Sequence, residues 1–103
     1  MILRVKEAHY LDDYRVELIF NDDMVRVIDL SHELEGEIFE PLKNQDYFQN
    51  FHIKTNTLEW ENGADFAPEY LFLISKPKDG ANAMSDKEQR CFEYVKKLYE
   101  VAS

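Results

Sequence analysis

The chain has 103 residues, of which 45% are hydrophobic and 14% aromatic, enough to build one core and too few for two independent ones. Its 21 acidic and 12 basic residues leave a formal charge of −9, which opposes nucleic-acid binding unless the bases gather on one face. No apolar run approaches the roughly 20 residues that span a bilayer, and the opening MILRVKEAHY lacks the apolar stretch of a signal peptide, so no membrane association and a cytoplasmic location are expected.

From Leu3 the pattern is that of a β meander. Leu3 and Val5 alternate with Arg4 and Lys6, and Leu11-Asp12-Asp13 marks a turn. Tyr14, Val16, Leu18 and Phe20 then share one apolar face, the signature of a half-buried strand. Asn21-Asp22-Asp23 is the next turn, because Asn and Asp tolerate left-handed backbone, and Met24 to Leu30 returns as a third strand. Ser31, Leu34 and Glu35 predict a short helical turn stopped by Gly36, after which Ile38, Phe39 and Leu42 anchor a loop to the core. Asp46 is the expected N-cap of a second helical turn through Tyr47, Phe48 and Phe51. Phe51 to Lys54 and Leu58 to Trp60 predict a second hairpin around Thr55-Asn56-Thr57, which brings the expected strands to five.

In WENGADFAPEYL, Trp60 ends a strand and Asn62-Gly63 supplies the positive backbone torsion of a tight turn. Asp65 is placed to accept amides at a helix start, Pro68 falls in the first turn, and Tyr70, Leu71 and Ile74 form an apolar helical face. Composition changes at Lys76. The stretch Lys76 to Ala83 has Pro, Gly and no apolar side chain larger than Ala apart from Pro77, so 76–84 reads as a loop or linker. Ser85-x-x-Glu88 is a capping box that opens a helix over 85–103. Cys91, Phe92, Val95, Leu98, Tyr99 and Ala102 form its apolar stripe, which must cover the domain or another subunit. The expected fold is therefore α+β: an antiparallel meander plus a hairpin over 1–75, short helices, and a C-terminal amphipathic helix.

Each residue type from Trp60 to Glu69 has a structural use. The functional alternative has Trp60, Asn62, Asp65 and Glu69 line a binding groove, since Trp and Asn recur on recognition surfaces. Asp29, His32, Glu33, Glu35, Glu37 and Glu40 are possible metal ligands, but they match no established spacing, and a solvated acidic loop accounts for them. Asp12-Asp13 and Asp22-Asp23 lie at opposite ends of the second strand, roughly 20 Å apart for about six residues, and cannot share a substrate. His9, His32 and His52 are scattered, Cys91 sits on an apolar stripe with no second Cys to pair it, and no Gly-rich phosphate loop occurs. Neither catalysis, a metal nor a cofactor is expected. Lys87, Arg90, Lys96 and Lys97 gather late in the chain but are interleaved with Asp86, Glu88, Glu93 and Glu100, as on a solvated mixed-charge face.

Asp12-Asp13-Tyr14-Arg15, Val25-Arg26-Val27-Ile28-Asp29-Leu30, Phe39-x-Pro41-Leu42 and Trp60-x-Asn62-Gly63-Ala64-Asp65-x-x-Pro68-Glu69 together resemble the bacterial domain of unknown function DUF2442 over about Met1 to Leu73. The resemblance implies a compact α+β domain of short bacterial proteins, often encoded beside another small protein as toxins and antitoxins are. It transfers no catalytic residues. Some relatives continue into a helix-turn-helix, whereas this chain has one convincing helix after Met84, and that motif needs two. The expected function is a non-catalytic protein-interaction module, antitoxin-like, with a small basic bacterial protein as partner. A nucleic-acid or transcription-associated adaptor and a ligand binder or enzyme using Trp60 to Glu69 are the alternatives. A homodimer through an open strand edge or the stripe around Val95 and Tyr99 is a further expectation.

Overall fold

The computed structural model describes residues 2–78 and 84–101, with the side chain of Val101 excepted. Three strands form the predicted meander: β1 (Val5–Asp12), β2 (Arg15–Phe20) and β3 (Val25–Asp29), paired antiparallel in that order. The turns between them use left-handed backbone at Asp13 (φ 41), Asp22 (φ 61) and Asp23 (φ 58), a conformation that Asp tolerates better than most residues. In register, Tyr10 faces Val16, which faces Ile28, and Ala8 faces Leu18, which faces Arg26. That alternation puts Val16, Leu18, Phe20 and Ile28 on one buried face.

The short helix α1 (Gln45–Phe48) precedes a hairpin of β4 (His52–Lys54) and β5 (Thr57–Glu59), turned by Thr55 and Asn56 at positive φ. This hairpin abuts the outer edge of β1, where the Val5 N–H donates to the Asn56 carbonyl at 2.8 Å. α2 (Pro68–Ile74) buries Leu71 and Phe72 against the inner sheet face, with Phe72 edge-on to Phe20 at 5.2 Å. A two-residue strand, β6 (Lys76–Pro77), then pairs with β3 to complete the order β1-β2-β3-β6. Finally α3 (Asp86–Val101) lies on α2 and buries Cys91 and Val95.

Several local expectations are corrected. There are six strands among the described residues, because Lys76 and Pro77, expected to open a loop, extend the sheet at β3; the rest of that loop, 79–83, lies outside the described residues. Asn44, and not Asp46, caps α1, its side-chain oxygen accepting from the Asp46 and Tyr47 amides at 2.9 and 3.3 Å. No helix forms over Ser31 to Glu35. Instead Gly36 (φ 103) opens a 3₁₀ segment at Glu37–Lys43 that buries Leu42 and half-buries Phe39 but leaves Ile38 48% exposed. At α2 the capping position is Ala67, with Pro68 at N1 and no side-chain cap, so Asp65 falls short of that role. The Ser85 capping box does form: the Glu88 amide donates to Ser85 Oγ at 3.2 Å and the Ser85 amide to Glu88 Oε1 at 3.4 Å. On α3 the stripe narrows beyond Val95: Leu98 is 44% exposed, and Ala102 lies outside the described residues.

Candidate functional site

Trp60 directly follows β5, and its environment is set by a tight turn: the Gly63 amide donates to the Trp60 carbonyl and the Trp60 amide to the Ala64 carbonyl, each at 2.9 Å. Gly63 adopts φ 90, which disfavours a side chain there. The indole points inward. It is 0% exposed, donates Nε1–H to the Phe48 carbonyl at 2.8 Å, and packs against Phe48, Phe51 and Phe66 at 5.6–6.3 Å between ring centres. Asn62 stabilises the turn by accepting from the Ala64 amide at 3.1 Å, and its NH₂ reaches across to the Ile38 carbonyl at 2.8 Å. It thus ties the turn to the 3₁₀ segment.

Asp65 is exposed, its backbone bridged to Glu59. Glu69 is half-buried in the first turn of α2, near enough to α3 that its charge helps hold the Tyr99 hydroxyl protonated, an effect second to burial. The four residues therefore occupy three environments: the core, a surface turn and the α2–α3 seam. None of them lines either of the two clearest grooves. One, of about 360 Å³, lies where β3 meets β6 and includes Arg15, Asp29, Ile74, Lys76 and Lys78. The other is shallow, about 480 Å³, between Pro41, Asn44, Asp46, Tyr47 and Asn50. Two of the cations of the first groove are paired, Lys78 with Glu17 at 2.7 Å and Arg15 with Asp12 at 3.0 Å.

Beside the second groove the fold gathers charge that is dispersed in sequence. Tyr14 donates its hydroxyl to the Lys43 carbonyl, which draws the 3₁₀ segment against the β1–β2 turn. The Tyr10 hydroxyl is pushed up first by burial and then by the negative field of Asp13, Asp12 and Asp46. Lys43 is held protonated by its bond to Glu40, with Glu35 adding to the field. Asp29 is held below the usual carboxylate range, chiefly by the Ser31 amide that donates to it at 2.9 Å. Asp12, Asp13, Asp29, Glu35, Glu40 and Asp46 are all exposed, so this end carries six carboxylates, with Arg15 and Lys43 among them and Lys76 and Lys78 sharing the first groove with Asp29. Among the described residues, no three His, Cys, Asp or Glu side chains are grouped as metal ligands, and no helix is long and apolar enough to cross a membrane.

A second polar centre was absent from the sequence-based candidates. Arg26 on β3 points into the core at 2% exposure beneath α2 and α3. Its Nε donates to Ser75 Oγ, Nη2 to the Ser75 carbonyl at 2.8 Å and Nη1 to Glu88 Oε2 at 2.9 Å, while the guanidinium lies 4.1 Å from the Phe72 ring centre. Burial draws the Arg26 pKa down, and Glu88 opposes that by favouring the charged form. Its signal was parity: Arg26 shares a strand face with Met24, Ile28 and Leu30, all buried.

A family described as protein of unknown function (DUF2442) has a model that matches residues 5–77. Comparison with curated proteins and with solved structures gave no match.

Proposed function

The chain belongs to the DUF2442 family, and from that premise we propose that it is a non-catalytic interaction module which binds a small basic protein encoded beside it, in the manner of an antitoxin and its toxin. The observation that supports this most is the acidic end assembled from the β1–β2 turn, Asp29, the 3₁₀ segment and α1. These carboxylates are exposed, Asp46 lines a shallow groove, and together they reinforce a net charge of −9, which speeds encounter with a basic partner. Near Trp60, by contrast, the Asn62 side chain is engaged in holding turns together.

Co-expression with the neighbouring gene product at low salt is the test. The expected result is a complex that weakens with ionic strength, and one that Asp13→Lys with Asp46→Lys weakens about tenfold or more by removing charge complementarity. No complex at low salt would count decisively against the proposal. The adaptor alternative needs a continuous basic face on α3. Lys87 instead donates to the Asp22 carbonyl at 3.1 Å and Lys96 lies 3.9 Å from Glu100, which favours the protein-binding reading.

A further inference from the structure

The body of the protein closes its core almost without α3. Among the described residues, eighteen apolar side chains are buried, and α3 supplies only Cys91 and Val95. The aromatic chain through Tyr10, Tyr14, Phe48, Trp60, Phe66 and Phe39 lies wholly within the body. The family match likewise ends at residue 77, before α3 begins.

What α3 adds is a polar fastening at its first turns. Glu88 reaches Arg26 at 2.9 Å while also completing the capping box with Ser85, and Met84 Sδ lies 3.7 Å from the same guanidinium. Lys87 spans to the Asp22 carbonyl at 3.1 Å. Farther along, only Cys91 and Val95 among the described residues are fully buried, and Tyr99 touches Tyr70 at 5.8 Å between ring centres while remaining exposed. With α3 closed, Arg26 is cut off from water and depends on Glu88 for its countercharge. With α3 lifted, water solvates the guanidinium. The pair therefore favours the closed form specifically, and removing its carboxylate leaves an uncompensated buried charge that opening relieves.

We propose that α3 is a strap that opens as a unit over a body that stays folded, and that the Arg26–Glu88 pair sets how often it opens. Opening bares Arg26, Phe72 and Ser75 together, a cation framed by apolar surface. Local opening of this kind is expected where an element shares few buried apolar side chains with the rest.

Cys91 reports the motion, since it is fully buried on the inner face of α3 and is the protein's single thiol. In the full-length chain, thiol-reagent labelling of Cys91 is compared with amide exchange at Val16 and Leu18. The expected result is labelling through an opening far more frequent than the one that exposes those amides. Glu88→Gln, which keeps an acceptor for the capping box, should speed labelling about tenfold or more and leave the sheet amides unchanged. Glu93→Gln, on the same helix and bonded only to Gln89 at 3.3 Å, should change neither. Labelling that tracks the sheet amides would overturn the strap. Equal acceleration by Glu88→Gln and Glu93→Gln, or none by Glu88→Gln, would overturn the role of the pair.

Discussion

Trp60 shows how a residue type common at recognition surfaces becomes a core residue: its ring fills the space among Phe48, Phe51 and Phe66, and its one polar atom is satisfied by the Phe48 carbonyl at 2.8 Å. Trp60→Phe keeps an aromatic ring but loses that donor. It should cost about 1–3 kcal/mol in a denaturant titration, and a cost near zero would contradict the assignment. Gly63 makes the turn possible at φ 90 with open space around its Cα, so Gly63→Ala should cost roughly 1–2 kcal/mol from backbone strain alone. Tyr70 donates to Glu33, and that bond, ahead of burial, pushes its hydroxyl up to about 12. A raised folded-state pKa favours the protonated form, so its stabilisation is complete below the ordinary tyrosine range near 10 and is lost as pH rises through about 12. Ultraviolet titration should show a late-ionising component in which Tyr70 joins the also raised Tyr10 and Tyr99, and Glu33→Gln should shift part of it to lower pH; an unmoved titration would refute the Glu33 contribution. The strand face of Val16, Leu18 and Phe20 and the Gly63 turn were legible in the sequence because each depends on local pattern. Arg26 was not: parity with Met24, Ile28 and Leu30 placed it inward, but what satisfies a charge there shows only once its partners Ser75 and Glu88, distant in sequence, are placed.

At the scale of elements, α1 illustrates why boundaries resist sequence reading. Both Asn44 and Asp46 are good capping residues, and the choice is made by where Lys43 is held, through Tyr14, as the chain enters the helix. Asn44→Ala should therefore cost about 1 kcal/mol in thermal or chemical denaturation, whereas Asp46→Ala removes no cap and should stay within roughly 0.5 kcal/mol. The reverse order would restore the sequence-based placement of the helix start. β6 escaped notice for a related reason: two residues carry no alternation, and Lys76 and Pro77 pair only because α2 delivers them to the free edge of β3. The capping box of α3 was legible from Ser85 and Glu88. The second use of Glu88, on Arg26, required the tertiary fold.

For the whole molecule, the sheet with α2, the β4–β5 hairpin and α1 makes one body, and α3 is fastened across it. The acidic balance was plain from composition, but its concentration at one end was not, since Asp12, Asp29, Glu35 and Asp46 come from separate segments that the meander and the 3₁₀ segment bring together. That end is exposed and beside a groove, and it is the surface on which the proposed interaction depends. The most direct measurement is the affinity of the purified chain for its co-expressed neighbour across ionic strength, with the Asp13→Lys, Asp46→Lys double variant alongside. Binding that falls steeply with salt, and is about tenfold or more weaker in the variant at low salt, is predicted. Absence of binding at low ionic strength, or binding indifferent to both salt and charge reversal, would contradict the account.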